Sequence, residues 1–110
     1  MLSPQSLPPA ERQLYSKLRQ ILIRPGLLRG GLTEMRRTCG NASCHCSKGG
    51  RHKHRSLYLA TSLKGKSRLV YIPAHWEQRV QEWVDRHQQV RDVLEQLSLA
   101  CLKRLQSREE

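Results

Sequence analysis

The sequence predicts an α+β fold: an N-terminal helix, a small zinc-stapled three-stranded antiparallel sheet, and a long C-terminal helix of coiled-coil character. Three observations carry this reading. Apolar residues recur at helical spacing at both ends of the chain. Two middle segments rich in Leu, Tyr, Val, Ile and Thr are joined by Lys64-Gly65-Lys66, a hairpin turn. Three cysteines and three histidines crowd the stretch just before them. At 110 residues the chain has the length of one domain, 1–110, and with no Phe and five aromatics its core is small enough to need a staple.

The first element, a helix over 8–24, starts at Pro8-Pro9-Ala10-Glu11, where proline fits the first turn and Glu11 complements the helix dipole. Leu14, Leu18, Ile21 and Leu22 form its apolar stripe, and Pro25-Gly26 ends it. Residues 32–73 form the basic, Cys- and His-containing β region, with strands at Leu32 to Arg37, Arg55 to Leu63 and Arg68 to Ile72. Tyr58 and Tyr71 are read as core, although either would suit stacking on an unpaired base. Pro73 closes the last strand. A heptad helix follows over 74–106, with Trp76, Val80, Trp83, His87, Val90, Leu94, Leu97 and Cys101 at alternating spacings of four and three. The first helix, folded back antiparallel, occupies part of that seam, and Trp76, Val80, Trp83, Val90, Leu94 and Leu97 are its packing and dimer positions. Cys101 reads as a small buried hydrophobe.

Charge is distributed unevenly. Twenty Lys and Arg against nine Asp and Glu give a net charge of +11. Residues 36–75 hold nine basic and no acidic side chains, whereas residues 76–110 hold six basic and seven acidic. The nine are Arg36, Arg37, Lys48, Arg51, Lys53, Arg55, Lys64, Lys66 and Arg68, a cluster that points to phosphate binding and so to DNA or RNA as partner. A merely solvated face is the bland alternative, but such faces usually mix signs. A segment without a carboxylate is poorly equipped for acid–base chemistry, so no enzymatic activity is expected. The longest apolar runs, such as Ile21-Leu22-Ile23, fall far short of the ~20 residues of a membrane span, and a cytoplasmic protein is expected.

Cys39, Cys44 and Cys46, followed by His52 and His54 beyond Gly49-Gly50, can close a tetrahedral Cys3His site for Zn2+ with either histidine as fourth ligand. A low-pKa thiol site beside so many cations, or cysteines without any ligand, are the competing readings. No CxxC accompanies the thiols. His45, between two ligand positions, points away from the metal.

These residues resemble a bacterial domain family of unknown function. The likeness runs from Leu32 to Leu97 through Cys39-Gly40-Asn41, Cys44, Cys46, His54 before Ser56-Leu57-Tyr58-Leu59, the Lys64-Gly65-Lys66 turn, Tyr71-Ile72-Pro73 and Trp83-Val84. It implies a helix, zinc-stapled sheet, helix arrangement and an association with mobile genetic elements. It also favours His54 over His52, because the flanking Ser-Leu-Tyr-Leu fixes the position of His54, while the family's gap after the third cysteine would land on His52. Arg55 replaces the proline usual after that histidine. The combined expectation is a small zinc- and nucleic-acid-binding protein, an accessory or regulatory subunit of a mobile element or larger nucleoprotein complex, forming a homo-oligomer. The alternative is a zinc-stabilised coiled-coil adaptor between proteins.

Overall fold

A computed structural model describes residues 7–37 and 54–109. In chain order it contains helix α1 (Pro9–Ile23), strands β1 (Gly31–Arg37), β2 (His54–Leu63) and β3 (Lys66–Ile72), one 3-10 turn (Ala74–Trp76) and helix α2 (Glu77–Ser107). This is the expected α+β order. The chain divides into two compact units, residues 28–84 and residues 1–27 with 85–110, here the sheet unit and the helical unit.

In the sheet unit the three strands pair antiparallel in the order β1-β2-β3. Lys64 (φ 53°) and Gly65 (φ 76°) make the two-residue β2–β3 connection. Positive φ at both positions is the pattern whose twist matches that of the flanking strands. Strand alternation then decides the faces. Leu57 and Leu59 on β2 and Ile72 on β3 point to one side, where they bury against Val80, with Trp76, Trp83, Val84, Leu28 and Leu32 around them. Four buried side chains, each contributing up to about 1.5–3 kcal/mol, make a modest core. Trp76 and Trp83 meet edge to face at 6.0 Å, and the Leu28 N–H donates to the Trp83 carbonyl at 3.2 Å. Gly30 enters β1 where a side chain would not fit, since a Cβ there would lie 2.7 Å from the Ala60 carbonyl oxygen.

In the helical unit α1 and the distal part of α2 run antiparallel. Arg104 near the end of α2 pairs with Glu11 near the start of α1 at 2.9 Å, and Arg86 donates to the Pro25 and Gly26 carbonyls beyond the end of α1, each at 2.6 Å. Glu11, in the first turn of α1 as the dipole argument expects, is 2% exposed and so is also a buried ion-pair member. The inner stripe of α2 runs through Val90, Val93, Leu97, Ala100 and Arg104, with Val93 1% and Leu97 8% exposed. Leu94, by contrast, is 48% exposed. Cys101 is exposed too and its thiol donates to Glu11 at 3.7 Å, which corrects the reading of it as a buried hydrophobe. The cause is the ion pair: once Arg104 must face Glu11, helical spacing brings positions 100, 97 and 93 inward and turns 101 and 94 to the flank.

Candidate nucleic-acid interface

The nine cations of the basic region fall into three sets. Arg36 and Arg55 stand opposite each other on β1 and β2 and share Glu34, at 2.9 and 3.2 Å. Arg55 also reaches both carboxylate oxygens of Glu77, at 3.0 and 3.2 Å. The 36–75 segment has no acid of its own, but the fold supplies two from just outside it. These exposed pairs add little stability, yet they occupy cations that the sequence left unopposed.

The second set, Lys64, Lys66 and Arg68, lies at the far end of the sheet, on the hairpin and the start of β3. All three are exposed, and among the described residues no acidic side chain pairs with them. The third set falls outside the described residues: Lys48, Arg51 and Lys53 entirely, and Arg37 as to its side chain.

The residues expected to hold a metal share that position. Cys39, Cys44, Cys46 and His52 lie outside the described residues, and of His54 only the backbone, the first residue of β2, is described. Among the described residues no group of three or more His, Cys, Asp or Glu side chains is placed to hold a metal. The register fixes the two residues that flank this stretch. Arg37 and His54 are cross-strand partners, so Cys39 follows by two residues a position directly opposite His54. His52 lies two residues before that paired position.

The side of the sheet away from Val80 holds two residues that the sequence reads as core. Tyr58 and Tyr71 are neighbours across β2 and β3, with ring centroids 5.7 Å apart at 68°. They are not core. Tyr71 is 56% exposed and Leu69, two residues earlier on the same face, 53%. The alternation of Leu57, Tyr58 and Leu59 is visible in the sequence, but which face receives a helix is not. An apolar recess of about 330 Å³, lined by Leu28, Val70, Ile72, Trp76 and Val80 among others, opens beside β3. It offers no charged group to orient a ligand.

The packing positions also separate by unit. Val80 is buried and Trp76 and Trp83 half-buried in the sheet unit, while Val90 and Leu97 face inward in the helical unit and Leu94 does not. Arg79 lies 4.4 Å from the Trp76 ring centroid, a cation–π contact. No helix among the described residues is long and apolar enough to cross a membrane.

The chain matches no curated protein and no solved structure. A family model does match it, over residues 7–82, which takes in α1, the whole β region and the first turns of α2. The match begins earlier and ends sooner than the signature around the cysteines suggests. The chain belongs to the family described as a domain of unknown function, DUF6788.

Proposed function

We propose that this protein binds nucleic acid through its sheet unit, with Zn2+ held by Cys39, Cys44, Cys46 and His54 organising the segment between β1 and β2. The observation that carries the reading is the partition of charge between the two units. The sheet unit holds eleven Lys and Arg against three Glu, a net +8, and the helical unit nine against six, a net +3. A concentration of this kind is costly to keep compact and is relieved by a polyanion. The paired positions of Arg37 and His54 support the metal site, because closing the base of the segment shortens the search for a tetrahedral ligand set. No catalytic role is assigned, and service as an accessory of a mobile element remains an extension of the family resemblance.

The test is a salt titration of affinity. Each phosphate contact contributes about 0.9 to the slope of log K against log salt on duplex DNA and about 0.7 on a single strand. Changing Lys64→Asn, Lys66→Gln and Arg68→Gln together is expected to weaken binding and flatten the slope by about 2 to 3. Lys17→Gln, Arg19→Gln and Arg91→Gln, all exposed in the helical unit, should leave both almost unchanged. Arg55 and Arg86 are unsuitable probes, since one is tied to Glu34 and Glu77 and the other to two carbonyls. No affinity at low salt for any DNA or RNA, or equal losses in both triple variants, would overturn the proposal.

A second reading, the adaptor, is favoured by one observation: Leu94, Leu102 and Leu105 of α2 are 48, 48 and 62% exposed. Apolar side chains repeated on one helix are the usual material of a protein–protein contact. A single-chain mass by light scattering at tens of micromolar, unaltered by Leu94→Glu with Leu105→Glu, would remove self-association as their use.

A further inference from the structure

Resting on the nucleic-acid reading, we infer that the open face of the sheet is a stacking platform for single-stranded nucleic acid, with Tyr71 receiving a base and the backbone passing over the β3 edge to Arg68, Lys66 and Lys64 beyond it. Four features converge. Tyr71 is 56% exposed although it stands on a strand, so its ring offers surface to a ligand. Tyr58, its cross-strand neighbour, meets it edge to face at 5.7 Å, an attractive arrangement that restricts the Tyr71 ring before any ligand arrives. Leu69 continues the exposed apolar surface along the same strand, while Ala60 opposite it is too small to cover it. β3 is also an edge strand, with β2 on one side and no described strand on the other.

Chemistry then selects the occupant. An exposed aromatic and aliphatic face could in principle receive a protein, but this one belongs to the unit of net charge +8. On the same strand as Tyr71, Arg68 and Lys66 stand three and five residues before it, about 10 and 17 Å away at ~3.3 Å per residue, and at these odd offsets they leave β3 on the side opposite the Tyr71 ring, both exposed at the edge strand. A strand with a base on Tyr71 would meet these cations by passing over the open β3 edge rather than along the face itself. In a duplex the base faces are already stacked on one another, so an aromatic platform gains its contact only from unpaired bases. Stacking tolerates any base and any sugar, so the platform accepts single-stranded RNA and DNA alike, and contacts to the 2′-hydroxyl decide between them.

The experiment is fluorescence anisotropy with the full chain in its zinc-loaded form and three labelled probes of mixed sequence: a 12-mer RNA, the same 12-mer as DNA, and that DNA as a duplex. Tyr71→Ala is expected to weaken both single strands about ten- to a hundred-fold while leaving the duplex within about two-fold. Tyr71→Trp should retain or tighten single-strand binding, and Tyr58→Ala should lose less than Tyr71→Ala. Because Tyr71 is exposed, Tyr71→Ala should melt within a few degrees of the wild type, and Tyr71→Phe gives a milder check that packing is unchanged. If Tyr71→Ala binds single strands like wild type while the Lys64, Lys66 and Arg68 variant does not, the platform is overturned and the nucleic-acid reading stands. If no probe binds at low salt, both fall. A wild-type mass twice that of Tyr71→Ala would show that the face is covered by a second copy, and that also overturns the platform. The ratio of the RNA and DNA affinities identifies the preferred sugar.

Discussion

The two units of this chain solve the same problem, a shortage of apolar residues, in opposite ways. The sheet unit concentrates its few large side chains on one face, where Leu57, Leu59 and Ile72 meet Val80, and leaves the other face to Tyr58, Tyr71 and Leu69. The helical unit closes around Val93 and Leu97 and adds a buried ion pair, Glu11 with Arg104. Charge follows the same division. In the sheet unit the cations are in excess and sit at both ends of the strands. In the helical unit a cation is taken inward and neutralised. A polar residue near an apolar stripe can thus mean opposite things: a site open to a ligand, or a device that sets which helix faces touch.

The comparison can be broken at several points, and the largest effect is expected from the metal. If zinc organises the segment between β1 and β2, a strong chelator should remove protection from hydrogen exchange at Met35, Arg36, Arg55 and Ser56 first, since a structural zinc is worth about 10 kcal/mol or more of apparent binding energy. Metal analysis finding no zinc in unstripped protein would sink that expectation. Next comes the ion pair. Arg104→Ala strands a carboxylate that is 2% exposed and should cost about 3 kcal/mol, whereas Glu11→Leu with Arg104→Leu should recover much of it. A thermal melt in which the double variant is as unstable as Arg104→Ala would show that the pair holds more than its own charges.

Smaller effects sharpen the contrast. Gly30→Ala drives a Cβ to within 2.7 Å of the Ala60 carbonyl at a φ of +150°, and should destabilise the sheet unit by about 2 kcal/mol. Within α2, Val93→Ala should cost about 2 kcal/mol and Leu94→Ala less than about 0.5, although leucine is the larger side chain. Equal losses in denaturant titrations would mean that Leu94 is covered in solution, as the adaptor reading requires. The smallest change is Lys64→Asn. Asn-Gly suits two successive positive φ values better than Lys-Gly, so stability should rise by a few tenths of a kcal/mol, about the resolution of a careful melt.

Much of the fold was legible in the sequence. Pro8-Pro9 and Pro25-Gly26 bracket α1, the Lys-Gly turn fixes the hairpin, and Pro73 separates β3 from α2, because proline and glycine act on the backbone wherever they stand. The candidate interface was legible only as a count. Nine cations could be numbered, but not the pairing of two of them with Glu34 and Glu77, since those acids arrive through strand register and the start of α2.

What the sequence determined by itself was local: where elements start and stop, which segments alternate, and that excess positive charge belongs to the middle of the chain. Tertiary structure decided which of two equally apolar choices was used. Along α2 both Val93 and Leu94, and both Ala100 and Cys101, satisfy a spacing of three or four, and only the position of Arg104 against Glu11 selects the first of each pair. On the sheet, Leu57 and Tyr58 are adjacent and both able to serve as core, and only the placement of Val80 on one side assigns one to the interior and the other to the open face. The physical reason is common to both: periodicity states that a face exists, but an apolar face has no preferred partner until something directional, a buried charge or a strand register, fixes the rotation.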